Sequence, residues 1–209
     1  MNAQETVALV ARQMLALREH FIRDLFDRTL REVRALDHDE RLRALLEASI
    51  SENIVAGVNF IERGDGAGEV DAPSAALTYA RILAQRDVPQ TALIRAYRLG
   101  HSLFLDATMA MVPAVSAPAA PQGADQADTF TELVRLSNTY IDRVCEQVGR
   151  AYELERDRWV SSRSGLRQQW VNDLLDGSAV DLHQAQEALG YSFVGTHLAV
   201  VVWPAQEVP

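Results

Sequence analysis

Three side chains near the middle of this chain have the types and spacing to do more than pack. Tyr97, His101 and Phe104 fall at i, i+4 and i+7, so a helix places them on one face, and Arg98 stands next to the first of them. Aromatic rings supply apolar walls, an imidazole titrates near neutral pH, and a guanidinium at the edge holds an anion. As a unit they read as a ligand pocket, and Gly100 leaves room for a neighbouring helix. A sharper version makes His101 an axial haem ligand. The plainest version is a core helix whose Tyr and His each find a hydrogen bond. That version ranks first and the haem last, because such stripes are most often simply core.

No other grouping competes as a site. The five histidines (His20, His38, His101, His183 and His197) are scattered, with no pair at metal-ligand spacing, and the chain has no CxxC, HExxH, P-loop or GxGxxG motif. We therefore assign no catalytic residue, no metal site and no cofactor, and expect a protein that is not an enzyme. The glycine-rich stretch from Gly64 to Gly68 has no strand before it and no lysine to reach a phosphate, so it reads as a turn. Cys145 is the only cysteine, which precludes an intrachain disulfide and fits a reducing cytoplasm. Beside Val144 it reads as a small buried hydrophobe rather than a redox switch. Arg156, Arg158, Arg163 and Arg167 are interleaved with or beside Glu153, Glu155 and Asp157, a solvated connector rather than a basic patch.

The elements that must hold the Tyr97–Phe104 face are helices almost throughout. Between Glu5 and Leu36 no Gly or Pro interrupts the chain. The apolar stripe Val7, Val10, Met14, Leu17, Phe21 drifts near Arg18–His20 into Ile22, Leu25, Phe26, Leu30 and Val33, giving one rod or two joined helices. Asp37-His38-Asp39 marks a break with an N-cap. Leu42, Leu46, Ile50, Ile54, Val58 and Ile61 then share one face of a helix that the glycines stop. Asp71 and Pro73 offer an N-cap and a first-turn proline for a short helix to about Arg86. Val88-Pro89 restarts the pattern for the helix carrying Leu93, Tyr97, His101, Phe104 and Ala107. Residues 113–128, with three of the seven prolines, read as a loop.

A long helix follows, with Phe130, Val134, Ile141, Val144, Val148 and Ala151 or Tyr152 on its stripe, part of which is a candidate dimer seam. Beyond it, residues 153–158 are nearly all charged, as in a helix that bridges domains. Leu166, Trp170, Val171, Leu174 and Leu175 precede a stop at Gly177, and Asp181 caps a last short helix closed by Gly190. His197 to Trp203 is a valine-rich apolar run that reads as a buried strand, and a strand without partners cannot stand alone. We read the chain as the front of a longer polypeptide.

Charge and length set the outer bounds. A net charge of −9 argues against nucleic-acid binding by these residues, and no stretch approaches the roughly 18 unbroken apolar residues of a membrane span.

Two stretches resemble one family. Residues 88–101 (VPQTALIRAYRLGH) resemble the "vp…ll.ayr.g" helix of the all-helical N-terminal domain of RsbR/RsbRD-type stress regulators, a domain that also precedes many PucR/CdaR-type transcription factors. Residues 166–203, with Leu174-Leu175-Asp176-Gly177 and Ala188-Leu189-Gly190, resemble the start of the GGDEF-like middle domain of that PucR/CdaR family. The resemblance implies a signal-input and dimerisation region, with the DNA-reading helix-turn-helix beyond residue 209. It implies an all-α, globin-like multi-helix bundle over 1–152, a connector helix over 153–165, and over 166–209 the first strand or strands of a truncated α/β domain. Domains of this type commonly lack haem. A protein-interaction scaffold of the RsbR type is the alternative. The expected partners are a second copy of the chain and an unidentified small-molecule or protein effector.

Overall fold

The computed structural model describes residues 2–64, 70–115, 124–176, 180–198 and 200. Among these residues all regular structure is helical. The helices are α1 (Ala3–Ala16), α2 (Arg18–Glu32), α3 (Glu40–Arg63), α4 (Ser74–Gln85), α5 (Gln90–Val115), α6 (Ala124–Leu175) and α7 (Leu182–Leu189), with a 3-10 turn at Arg34–Leu36. The chain divides into two compact units, Met1–Trp159 and Val160–Pro209.

Helix ends in the first unit follow local chemistry. Asn2 and Glu5 form a reciprocal cap on α1, the Glu5 N–H donating to Asn2 Oδ1 at 2.8 Å and the Asn2 N–H to Glu5 Oε2 at 3.0 Å. The drift in the first stripe is a real break: α1 and α2 meet at Leu17, and the Arg18 guanidinium satisfies the Leu15 carbonyl there at 3.0 Å. Asp39 caps α3 by accepting from the Leu42 N–H at 3.0 Å, and Gly64 ends that helix in the left-handed region at φ 68°.

The start of α4 departs from the sequence reading. Asp71 does not cap it; Pro73 takes the N-cap position without a side-chain bond. The orphan Ala75 N–H donates instead to Glu52 Oε2 on α3 at 2.9 Å. A long-range carboxylate does what a local one was expected to do, and it adds favourable charge at the positive helix end.

The expected loop over 113–128 is also shorter than read. α5 runs through Pro113 to Val115, and α6 is already helical from Ala124. Val112, fully buried, holds the end of α5 in the core, so a proline in the last turn does not end the helix before it. Residues 116–123 lie outside the described residues.

The core of this unit draws on α1 to α6, with α1, α2 and α4 each packed against both α3 and α5. α3 is long and apolar enough by composition to cross a membrane, but its Leu42, Leu46, Ile54, Val58 and Ile61 are buried in the bundle. The first half of the α6 stripe is rotated from the one read in sequence, while Val144, Val148 and Tyr152 keep their place on it. Its buried apolar residues are Leu133, Leu136, Tyr140, Val144, Val148 and Tyr152, while Phe130, Val134 and Ile141 are half-buried shoulders. Val144 and Val148, on the stripe read as partly a dimer seam, are fully buried within this chain. Polar ties fix the register of α6: Tyr152 Oη donates to the Val88 carbonyl at 2.7 Å, and Gln147 Oε1 accepts from the Ala72 N–H at 3.0 Å.

In the second unit α7 is capped at both ends as its sequence suggests. Asp181 Oδ1 accepts from the His183 and Gln184 N–H groups at 2.9 and 3.3 Å. Gly190 closes it at φ 63°, with Tyr191 N–H reaching back to the Gln186 carbonyl at 3.2 Å. Gly177 lies outside the described residues. Of the expected strand, Ala199 and residues 201–203 lie outside them too, while His197, Leu198 and Val200 carry no regular structure. No described segment pairs with them, and a strand needs such a partner.

Candidate functional site

Tyr97, His101 and Phe104 project from α5 into a cavity of about 90 Å³. Its other walls come from α2 (Leu25, Thr29), α3 (Leu46 to Ile61), Tyr79 of α4, and Ser137, Tyr140 and Ile141 of α6. Five helices of the first unit therefore converge on one space. The lining surface is overwhelmingly apolar, and among the described residues no Asp, Glu, Lys or Arg belongs to it.

Arg98 does not join its neighbours. One residue on from Tyr97, it turns some 100° around the helix, stays exposed and does not line the cavity. The anion-holding role read for it in sequence has no geometry to support it. Gly100 lines the cavity, but a Cβ there would meet Leu25 Cδ2 at 3.5 Å, an ordinary contact, so it is not required for close helix approach.

The tight glycine is Gly57 on α3, where a Cβ would lie 3.1 Å from Tyr140 Cε1. Its bareness seats the Tyr140 ring against α3, next to Phe60 at a centroid separation of 6.0 Å. The Tyr140 hydroxyl donates to the Asn53 carbonyl at 3.1 Å, and Asn53 Nδ2 donates to the Ser49 carbonyl at 2.8 Å and to Tyr97 Oη at 3.4 Å. Asn53 thus joins α3, α5 and α6 at one wall. Burial pushes the phenols of both Tyr97 and Tyr140 above the ordinary tyrosine range, so both stay neutral.

Two polar atoms of the cavity lining have no protein partner among the described residues: the Tyr79 hydroxyl, on a residue only 1% exposed, and His101 Nε2. Both residues line the cavity. Burial raises the Tyr79 phenol and lowers the His101 imidazole, the latter against an opposing pull from Asp142. A neutral imidazole and a neutral phenol are the resulting states at pH 7. Phe104 completes this side, its ring edge-on to Phe21 at 6.3 Å.

A space of about 90 Å³ is far below the roughly 300–1,000 Å³ of cofactor pockets, so a haem on His101 does not fit. Among the described residues no group of three His, Cys, Asp or Glu side chains is arranged to hold a metal. Cys145, half-buried near Tyr97, has its thiol pushed up to about 11 by burial, the opposite of an activated nucleophile. Arg156, Arg158 and Arg167 are exposed.

Asn53, Tyr79 and Tyr140 were not singled out from sequence. Asn53 and Gly57 had a detectable signal, as a polar residue and a glycine flanking an otherwise aliphatic face of α3. Tyr79, with no partner spaced along its own helix, had none.

A family model described as the RsbT co-antagonist protein rsbRD N-terminal domain matches residues 19–167. No curated protein and no solved structure matched the chain.

Proposed function

The chain belongs to the rsbRD N-terminal domain family, a helical domain of the signalling and protein-interaction type, and from that premise we propose that it is a signal-input region. The observation that carries this is the dual role of α6. The same helix gives Ser137, Tyr140 and Ile141 to the cavity wall and runs on to Leu175. A molecule that binds two packings of the bundle unequally biases α6, and through it whatever α6 is joined to.

We assign the chain itself to a PucR-type transcriptional regulator acting as a cytoplasmic homodimer. In this reading residues 166–209 begin a GGDEF-like domain with its first strands, and a helix-turn-helix lies beyond. Support comes from Leu174-Leu175-Asp176-Gly177 and from α7, whose Asp181 cap and Gly190 stop match the helix expected there. No catalytic step is assigned. The test is thermal stability of the chain against a broad metabolite panel, repeated on Ala96→Leu, which places a larger side chain at the cavity wall. Stabilisation of the native chain that the variant loses supports input at this site. A flat response across the panel removes the sensor reading.

A second reading, a scaffold that binds proteins and no small molecule, draws on the family description itself, which names a co-antagonist of RsbT. It requires that a partner protein be bound equally well by the native chain and by Ala96→Leu.

A further inference from the structure

We propose that the cavity takes a small uncharged molecule with a short alkyl body and one hydroxyl group, the short-chain alcohol class. This rests on the reading of the cavity as the input site and names its ligand. Three observations converge on that chemistry.

Charge comes first. Among the described residues no ionised side chain lines the cavity, and Arg98, the one cation adjacent to Tyr97 in sequence, is exposed outside it. A carboxylate or ammonium ligand would give up its hydration with nothing to replace it. Size comes second: at about 90 Å³ the space is smaller than the roughly 150 Å³ apolar cavity that accommodates benzene. That leaves room for a few carbon atoms and no ring system with substituents.

The third observation is the pair of orphans. Buried polar groups in native proteins are nearly always paired. Here Tyr97 and Tyr140 are already tied to Asn53, so they form wall, whereas Tyr79 Oη and His101 Nε2 have no partner among the described residues. A hydroxyl group both donates and accepts, so it complements a phenol and either tautomer of a neutral imidazole. The aliphatic remainder of the ligand then meets Leu46, Ile54 and Leu93.

The experiment is a methyl and amide NMR titration of the full chain with 1-propanol, 1-butanol, butyrate, butylammonium and xenon. The expected result is saturable shifts at Leu46, Ile54 and Leu93 with the alcohols and xenon, and none there with either ion. Tyr79→Phe, which leaves the ring in place, should weaken butanol by about three- to tenfold, the worth of one hydrogen bond, and leave xenon unchanged. Ala96→Leu should remove both. Absence of saturable alcohol shifts, ions binding as tightly as butanol, or indifference of butanol to Tyr79→Phe would each overturn the proposal. The two readings fail separately. Alcohol binding here without any change in amide shifts of α6 upholds the ligand class and removes the sensor. A charged metabolite that stabilises the native chain, but not Ala96→Leu, keeps the sensor and overturns the class.

Discussion

Two glycines that line the same cavity should respond to alanine in opposite directions. At Gly57 a Cβ would sit 3.1 and 3.2 Å from Tyr140 Cε1 and Cδ1, against a comfortable carbon–carbon separation of about 3.5–4.0 Å. The ring must therefore move by several tenths of an ångström. It is poorly free to do so, being 7% exposed, tethered through its hydroxyl to the Asn53 carbonyl at 3.1 Å and packed on Phe60. Overpacking of this kind costs about 1–3 kcal/mol, while alanine in place of a mid-helix glycine returns about 0.8–1.0 kcal/mol. The net for Gly57→Ala is a loss of about 1 kcal/mol. At Gly100 the nearest atom is Leu25 Cδ2 at 3.5 Å, so only the propensity gain remains and Gly100→Ala should stabilise by about 0.5–1 kcal/mol. Urea unfolding followed by far-UV circular dichroism measures both, through a shift in midpoint at constant slope. For a chain of this size the pair should differ by roughly 4–6 °C in thermal midpoint. In a Tyr140→Phe background, which cuts the tether, the Gly57→Ala penalty should shrink. If both alanines stabilise equally, Tyr140 is not held against α3 and the account of this wall is wrong.

Other consequences can be checked in the same assays. Tyr79→Phe removes a buried hydroxyl that has no partner among the described residues, so it should leave stability unchanged or raise it, whereas Tyr152→Phe breaks a buried 2.7 Å bond to the Val88 carbonyl and should cost about 1–2 kcal/mol. The His101 imidazole is held below its ordinary value by burial, with Asp142 opposing, so the unfolded chain takes up this proton first. Its share of stability is complete above about pH 6.5 and is lost as pH falls toward the folded value, and His101→Gln should flatten that part of the pH–stability curve. With its thiol pushed up to about 11, Cys145 should alkylate at pH 8 on the order of 100-fold more slowly than in the urea-unfolded chain, and equal rates would contradict its burial.

What was legible in sequence was whatever a local rule governs. The stripe of α3 and both caps of α7 follow from spacing of three and four and from Asp or Gly at helix ends, and each is found in the structure, while the drift near Arg18, compatible with one rod or two, is a break. What was not legible depended on partners far along the chain. α4 is capped by Glu52, and neither Ser74 nor Asp71 betrays it. The α6 stripe holds as read at Val144, Val148 and Tyr152, but before them the buried face is Leu133, Leu136 and Tyr140 rather than Phe130, Val134 and Ile141; the Tyr140 hydroxyl has a destination on α3, so its ring can be buried. The site divides the same way. Tyr97, His101 and Phe104 share a helix face by arithmetic, but which side of α5 is enclosed depends on four other helices, and this is why Arg98 could be grouped with them and still point away.

A space of this size in an otherwise filled core bears on how far a ligand can act. At about 24 cal/mol per Å³, 90 Å³ of unfilled volume corresponds to about 2 kcal/mol of packing forgone. A ligand that fills it in one packing of the helices and not in the other recovers an energy of that order, the same as typical coupling between sites, about 1–3 kcal/mol. Such an increment turns a one-to-five population ratio into roughly five-to-one, but it falls well short of the about 5.5 kcal/mol needed to carry 1:99 to 99:1. Input through this cavity therefore requires two packings that are already within about 1 kcal/mol of each other before ligand arrives. The hinge of that balance is Asn53, whose amide and carbonyl hold α5 and α6 to α3 through Tyr97 and Tyr140. Asn53→Ala combined with Tyr140→Phe, which together remove both ties because the carbonyl that Tyr140 reaches belongs to the main chain, should broaden the amide resonances of α5 and α6 through exchange. Sharp resonances in that variant would mean a single packing, and a single packing has nothing for a ligand to select.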